Sequence, residues 1–117
     1  MIKMKKILNW ETSIKKGFAK PLVLKLLNEN ESFPYQLTKG IFNVTNGEIM
    51  IATSNIYPML KELKNKGFVS SKIDETEKRE IYNITLDGKD VLKQITMFIN
   101  SFLINIGKSF VLKEDLK

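Results

Sequence analysis

The sequence predicts a mainly helical α+β fold with a β-hairpin before its last helix, and three observations carry this prediction. Apolar residues recur three and four positions apart in several separate segments, which is the spacing of helices with one buried face. Between residues 68 and 84 the pattern alternates with a period of two, which is typical of paired strands. From Val91 to Phe110 the helical spacing returns. We therefore expect a small head of helices and a hairpin, followed by a long C-terminal helix.

The composition is that of one small domain with a hydrophobic core. The chain has 117 residues, of which 43% are hydrophobic, so it is long enough and apolar enough to bury a core. It contains no cysteine and no histidine, which removes thiolate metal sites, the commonest metal ligand and the commonest general base. We therefore predict that the protein is not an enzyme and holds neither a metal ion nor another cofactor.

The charge of the chain is compatible with a polyanionic partner. The formal net charge is +6 and the pI is near 9.5, although Arg79 is the only arginine and the excess therefore rests on lysine. The longest uncharged run covers residues 94–107 and is shorter than the roughly 20 apolar residues of a membrane-spanning helix. We find no signal-peptide pattern, and the sequence favours a cytoplasmic protein without a membrane partner.

Residues 3–25 predict a basic segment that leads into the first core helix. This stretch holds seven lysines and one acid, Glu11, so it is either a short basic helix or an arm. Its lysines would add nonspecific DNA affinity, form the polar face of a helix that packs on a partner subunit, or bind a membrane surface, which the short apolar face disfavours. The core helix covers residues 18–28, with Pro21 near its first turn, where a missing N–H costs little. Its apolar residues have helical spacing: Leu22, Val23, Leu26 and Leu27.

A second, shorter helix is predicted to begin at Pro34. We expect its apolar side chains Leu37, Ile41 and Phe42 to face the core, and a turn at residues 43–47 to end it. Residues 48–52 are rich in isoleucine, so a short strand is predicted there.

A third helix that contains a proline is predicted to follow Thr53 or Ser54. A cap at Thr53 or Ser54 places Pro58 at the edge of the first turn or just beyond it, where at most one backbone hydrogen bond is lost. Gly67 would end the helix in the C′ position. Tyr57 lies on one flank beside Lys64. The apolar face consists of Ile56, Met59, Leu60 and Leu63, and the opposite face of Ser54, Pro58, Lys61 and Asn65.

Two strands and a capped helix complete the chain. Residues 68–73 and 79–84 are predicted to pair across a polar loop, and the tip at residues 74–80 carries a net charge of −2, which makes it a poor phosphate clamp. Thr85 would cap the last helix, with Asp87 in its first turn, where a negative charge is favoured. The order of helix, helix, strand, helix, hairpin and long helix is that of a winged helix-turn-helix.

Four motifs within residues 17–92 resemble those of the PadR-like family of transcriptional regulators. They are Phe33-Pro34-Tyr35-Gln36-Leu37, the run from Asn55 to Leu63 with its Tyr57-Pro58 pair, Lys66-Gly67-Phe68-Val69, and the run from Arg79 to Gly88. The Tyr-Pro pair, with the correct downstream spacing, is fairly specific. The resemblance implies a homodimeric repressor whose third helices enter successive major grooves of a pseudo-palindromic operator. It also implies a small-molecule effector at the dimer interface, whose class no residue identifies.

Five side chains of the third helix are predicted to contact double-stranded DNA. Lys61 and Lys64 would bind phosphate or base edges, or else lie on a solvated helix face that carries an ordinary ion pair with Glu62 or a neighbour. Ser54, Asn55 and Tyr57 lie at the helix start, which is the end that enters the major groove. Asparagine can pair with adenine, whereas tyrosine and serine more often bind phosphate. The alternative for Ser54 and Asn55 is that they only cap the helix.

Three further candidates come from the second helix and the hairpin. Tyr35 and Lys39 are predicted to contact backbone phosphate, and the alternative for Tyr35 is partial burial. Arg79 would reach the minor groove or a phosphate, or else pair with Glu77 or Glu80 in the hairpin.

The last helix predicts a dimer interface. Two adjacent apolar lines form a face wider than one small head is expected to cover, and residues 94–107 carry no charge. The alternative is that this helix folds back on the N-terminal segment and leaves a monomer. The predicted interface consists of Ile95, Phe98, Ile99, Phe102, Leu103 and Ile106.

These predictions divide one compact domain into three parts. Residues 1–16 form the basic helix or arm, residues 17–86 the winged helix-turn-helix, and residues 87–117 the dimerisation helix. Two alternatives to a repressor stay open. One is a DNA-binding protein for plasmid partition or replication termination, and the other is a winged-helix adaptor that binds protein and not DNA. The acidic hairpin tip favours the adaptor, and the Tyr-Pro pair argues against it.

Overall fold

The computed structural model describes residues 4–111, and the side chains of residues 9–111. Within that range five helices and one two-stranded antiparallel sheet form a winged helix with a long last helix, so the predicted fold class is confirmed. Residues 1–3 and 112–117 of the predicted first and third parts lie outside the described residues. The elements are α1 (Met4–Lys16), α2 (Ala19–Glu29), α3 (Pro34–Val44), α4 (Thr53–Asn65), β1 (Val69–Ile73), β2 (Glu80–Ile84) and α5 (Leu86–Ser109).

The core lies between α2, α3 and α4 and is closed by the hairpin of β1, β2 and the loop between them. We call these three helices and the hairpin the head. Its innermost side chains are Val23, Leu27, Leu37, Ile41, Ile56, Leu60 and Val69. The predicted buried faces of α2 and α4 are confirmed, but Phe42 is 43% exposed. Leu37 and Ile41 are one helical turn apart and set the buried face of α3, and Phe42 is turned away from it.

The predicted strand at residues 48–52 is wrong. This segment has no regular structure, although Ile49 is buried and its N–H donates to the Thr45 hydroxyl at 3.1 Å. The isoleucines anchor a loop to the core and do not pair with a strand. The place beside β2 is taken by Ser32, which exchanges two backbone hydrogen bonds with Tyr82, at 3.0 and 2.9 Å.

The helix α4 starts earlier than predicted and still contains its proline. Its N-cap is Ala52, so the predicted cap at Thr53 or Ser54 is wrong. The Thr53 hydroxyl lies 3.2 Å from the Thr38 hydroxyl of α3 and is used in that contact. Pro58 is therefore inside the helix, where its ring removes one N–H and α4 continues to Asn65.

Gly67 ends α4 as predicted, and its backbone has a φ of +81°, a conformation that favours glycine. The Gly67 N–H donates to the Lys64 carbonyl at 3.0 Å, and the Phe68 N–H donates to the Leu63 carbonyl at 2.9 Å. These two bonds close the last turn of α4 and turn the chain directly into β1.

The start of α5 is joined to the end of α4 by Thr85 and Gly88. The Thr85 hydroxyl accepts from the Gly88 N–H at 3.0 Å, which confirms the predicted cap, and it donates to the Gly67 carbonyl at 2.6 Å. The Thr85 N–H donates to the Phe68 carbonyl at 3.0 Å. A Cβ on Gly88 would overlap the Phe68 carbonyl oxygen, so α5 can begin here only with a glycine at this position.

We expect Gly88→Ala to lower the free energy of unfolding by about 1–3 kcal/mol, because the new methyl group would have to displace backbone. The matched control is Gly107→Ala in the same helix, where an added Cβ meets no atom within 4 Å. That variant should keep or slightly raise the stability, since alanine favours helix. Urea unfolding followed by circular dichroism, at one protein concentration, measures both. Equal stability of the two variants would contradict the close approach.

Candidate nucleic-acid interface

The helix α4 presents a polar surface because its other face is fixed in the core. Ile56, Leu60 and Leu63 are buried, and they fix the rotation of the helix about its axis. The opposite side chains, Ser54, Pro58, Lys61 and Asn65, are all exposed, as the spacing predicts. Packing in the core therefore fixes the orientation of α4, and the polar side of α4 is exposed to solvent.

The first turn of α4 carries side chains that are not used as caps. The N-cap is Ala52, and the Asn55 N–H donates to its carbonyl at 2.9 Å. Ser54 and Asn55 are exposed, and neither side chain makes a hydrogen bond within the described part of the chain. The capping alternative for these two residues is therefore wrong, and their polar groups are available to a ligand.

The two lysines of α4 differ in their surroundings. Lys61 is exposed and makes no ion pair with any described residue. Lys64 donates to the Ser71 hydroxyl at 2.7 Å and to the Glu80 carboxylate at 3.3 Å, so it is ion-paired, but with a glutamate of β2 and not with Glu62. The hydrogen bond from Ser71, followed by that from Lys64, holds the pKa of Glu80 below its ordinary value, against the opposing effect of burial. Lys64 therefore joins α4 to the hairpin.

Arg79, the last residue of the hairpin loop before β2, lies over two aromatic rings. The rings of Phe33 and Tyr35 stack with centroids 6.3 Å apart, and the guanidinium carbon lies 4.8 and 5.3 Å from their centres. The amino group of Lys39 lies 5.7 Å from the Tyr35 ring. Arg79 also pairs with Glu77 at 3.1 Å, which is the alternative drawn from the sequence. Cation–π contacts and an ion pair thus orient the only arginine.

A cleft of about 420 Å³ brings several of these groups together between α3, α4 and the hairpin. Tyr35, Tyr57 and Arg79 line it, with Glu80 at one side, and Tyr35 is 39% exposed. Sequence reasoning missed Thr53, which lines the same cleft but was assigned to a cap. It also missed the stacking role of Phe33, although its spacing of two from Tyr35 across Pro34 is a readable signal.

The six predicted interface residues of α5 fall into two groups. Ile95 and Ile99 are half-buried and line a groove of about 350 Å³ with Phe18 and Leu22 of their own chain. The other four are exposed: Phe98, Phe102, Leu103 and Ile106. The rings of Phe98 and Phe102 stack on each other, with centroids 5.3 Å apart. The first half of α5 thus covers the head, and the second half projects beyond it.

The helix α1 does not cover this projecting half of α5. Trp10 and Ile14 of α1 are 77% and 65% exposed, and the two helices share no extended contact within the described residues. The predicted alternative of an intrachain hairpin between these segments is therefore wrong for the described chain. Two apolar surfaces remain exposed, one on α1 and one on α5.

None of the described helices is long and apolar enough to cross a membrane. No three acidic side chains of the described part of the chain are grouped so that they could hold a metal ion.

Comparisons with known proteins agree with this architecture. The transcriptional regulator PadR-like family model matches residues 23–94. A transcriptional regulator from Clostridium thermocellum Cth-833 has a TM-score of 0.77 at 27% identity, with 86% of this chain and 96% of that chain covered. A PadR family transcriptional regulator from Eggerthella lenta DSM 2243, with a TM-score of 0.76, 23% identity and coverages of 92% and 96%, shares the fold.

One further protein is similar to this chain in sequence. Uncharacterized protein X of Lysinibacillus sphaericus is 25% identical over 87 residues, which cover 72% of this chain and 80% of that protein. The family match covers more than half of the chain and includes α3, α4, the hairpin and the start of α5. The chain therefore belongs to the PadR-like family of transcriptional regulators.

Proposed function

We propose that the protein is a sequence-specific DNA-binding repressor that acts as a homodimer. The observation that carries this proposal is the surface of α4, where Ser54, Asn55 and Lys61 are exposed and unpaired while the opposite face is locked in the core. A helix whose polar side is held in one orientation can read base edges in the major groove. We call α4 the recognition helix from here on.

The side chains around the recognition helix divide into base-reading and phosphate-binding groups. Asn55 near the helix start can pair bidentately with an adenine, and Ser54 can bond to a base or a phosphate. Lys61 would neutralise a phosphate. Tyr35 and Lys39 would meet the backbone from α3, and the guanidinium of Arg79 is oriented toward the same cleft.

The exposed half of α5 supports a dimer. Phe98, Phe102, Leu103 and Ile106 form an unpartnered apolar surface on a projecting helix. Burial of these side chains on both copies would contribute on the order of 10 kcal/mol before association costs are subtracted. A twofold axis would present the same patch on each subunit and set two recognition helices one DNA turn apart. An effector bound between the copies would change that spacing.

Lys61→Ala should weaken binding to a labelled duplex of the region upstream of the protein's own gene by about tenfold. The plot of log affinity against log salt should flatten by about one unit, because one phosphate contact is lost. Lys61→Arg is the control and should keep the slope. Stability should stay within about 0.5 kcal/mol, since the site is exposed. If the unmodified protein binds no duplex in fluorescence anisotropy, the adaptor alternative is favoured.

Replacement of Phe98 and Phe102 by aspartate should convert the dimer into a monomer that binds DNA poorly, because two charges would enter the apolar patch. The matched control is Met97→Asp. Met97 is 67% exposed, comparable to Phe98 at 58%, but it does not belong to the predicted interface. Sedimentation equilibrium at micromolar concentration gives the mass of each. A monomeric unmodified protein, or a dimeric double variant, would contradict this interface.

Reversal of Glu75 and Glu77 to lysine should strengthen binding to a random-sequence duplex. The hairpin tip would become basic, and Arg79 would lose the carboxylate that lies 3.1 Å away. The gain in DNA affinity should decrease as the salt concentration is raised, because the added attraction is electrostatic. Weaker binding would instead indicate that the acidic tip meets a protein.

A further inference from the structure

The helix α1 turns its polar face toward the recognition helix and its apolar face outward. A cleft of about 450 Å³ separates the two helices, with Lys15 and Lys16 on one wall and Asn55 and Pro58 on the other. The amino group of Lys15 lies 3.5 Å from the Glu48 carboxylate in the loop before α4. Trp10 and Ile14 do not line this cleft and are exposed. The cationic side of α1 is therefore set beside the start of the recognition helix.

The two flanks of the recognition helix carry opposite charge. On the flank of Lys64, the hairpin from Val69 to Ile84 has three cations and four carboxylates, and both Lys64 and Arg79 are already paired with glutamates. On the flank of Asn55, the described side chains of α1 include two lysines, Lys15 and Lys16, and one acid, Glu11, a net charge of +1.

A further acid, on the recognition helix itself, does not cancel the charge of this basic flank. Glu62 of α4 is paired with Lys20 and Lys66, at 2.8 and 3.2 Å. Hydrogen bonds from these lysines, Lys20 first, hold the pKa of Glu62 below its ordinary value. Lys16 makes no ion pair with any described residue, and the exposed contact of Lys15 with Glu48 is of a kind that contributes little. A polyanion can therefore compete for both lysines.

We propose that α1 is a second DNA-binding element, in which Lys15 and Lys16 contact the phosphodiester backbone on the side of the major groove away from the hairpin. A helix in that groove has one sugar-phosphate strand on each side. The α1 flank offers such a strand Lys16, which makes no ion pair with a described residue, and Lys15, whose ion pair is exposed, whereas Lys64 and Arg79 on the other flank are paired with glutamates. Because the contact is to phosphate, it adds affinity without sequence preference. The inference rests on the proposed function, and it leaves Trp10 and Ile14 free to meet a second copy.

The test compares two double variants with the same loss of charge. One is Lys15→Gln with Lys16→Gln, and the control is Lys89→Gln with Lys93→Gln, two exposed lysines of α5 that line a separate cleft. The probes are a labelled duplex of the upstream region and a random-sequence duplex of the same length. The α1 variant should bind both at least about tenfold more weakly, and its salt slope should fall by about two units. The α5 control should keep the slope.

The outcomes separate this inference from the proposed function. If the unmodified protein binds neither duplex, both are overturned. If it binds, and Lys61→Ala weakens binding while the α1 variant matches the α5 control, only the inference is overturned. Circular dichroism and sedimentation should show the fold and mass unchanged, because the lysines lie opposite Trp10 and Ile14.

A second measurement does not depend on the double variant. The chain has no cysteine, so Lys16→Cys and Lys93→Cys each create one site for an iron–EDTA label that cleaves nearby DNA backbone. A label at position 16 should cut the bound duplex at the edge of each half-site, and a label at position 93 should not. Bound DNA left uncut by the label at position 16 would overturn the inference.

Discussion

The contact between the start of α5 and the end of α4 is the constraint on which the rest of the molecule depends. Gly88 lies so close to the Phe68 carbonyl that no side chain fits between them. Thr85 adds hydrogen bonds to the Gly67 and Phe68 carbonyls, at 2.6 and 3.0 Å. Because each group is backbone or a short hydroxyl, the junction has little freedom. The angle between the two helices is thus set by local geometry, and the hairpin begins at the same place.

This junction attaches α5 directly to the end of the recognition helix, so that the two helices move together. At 1.5 Å per residue, α5 from Leu86 to Ser109 is about 36 Å long. Its first half packs against the head through Ile95 and Ile99. Its second half projects beyond the head, and the apolar side chains there are exposed. In the proposed dimer, a change in the angle between two such helices would move each head as a body. The surface for association and the surface for DNA would then be coupled without a flexible joint.

The sequence could predict those features that depend on neighbours along the chain. The buried face of α4, its end at Gly67 and the cap at Thr85 follow from helical periodicity and local hydrogen bonding. Features that depend on distant partners could not be predicted. Residues 48–52 have strand-like composition but no strand to pair with, and the Thr53 hydroxyl is used by a hydroxyl of α3. In the site, the exposure of the polar face was predictable, but the pairing of Lys64 with a glutamate of β2 was not.

The same pairing decides what the hairpin can contribute electrostatically. Glu80 accepts hydrogen bonds from Ser71, Lys64 and Tyr82, at 2.6, 3.3 and 3.2 Å, and the bond from Lys64 fastens the hairpin to the recognition helix. Burial and the nearby Glu80 carboxylate raise the pKa of Tyr82, so its hydroxyl remains a donor in this network. Because Lys64 is paired with Glu80, it fixes the orientation of the hairpin but contributes less positive charge to phosphate binding. Net charge alone therefore does not locate a DNA surface. What matters is which cations the fold leaves without an ion pair to a described residue. Among the residues considered for DNA contact these are Lys61 on the recognition helix, Lys16 beside it, and Lys39 on α3, whose amino group lies over the Tyr35 ring.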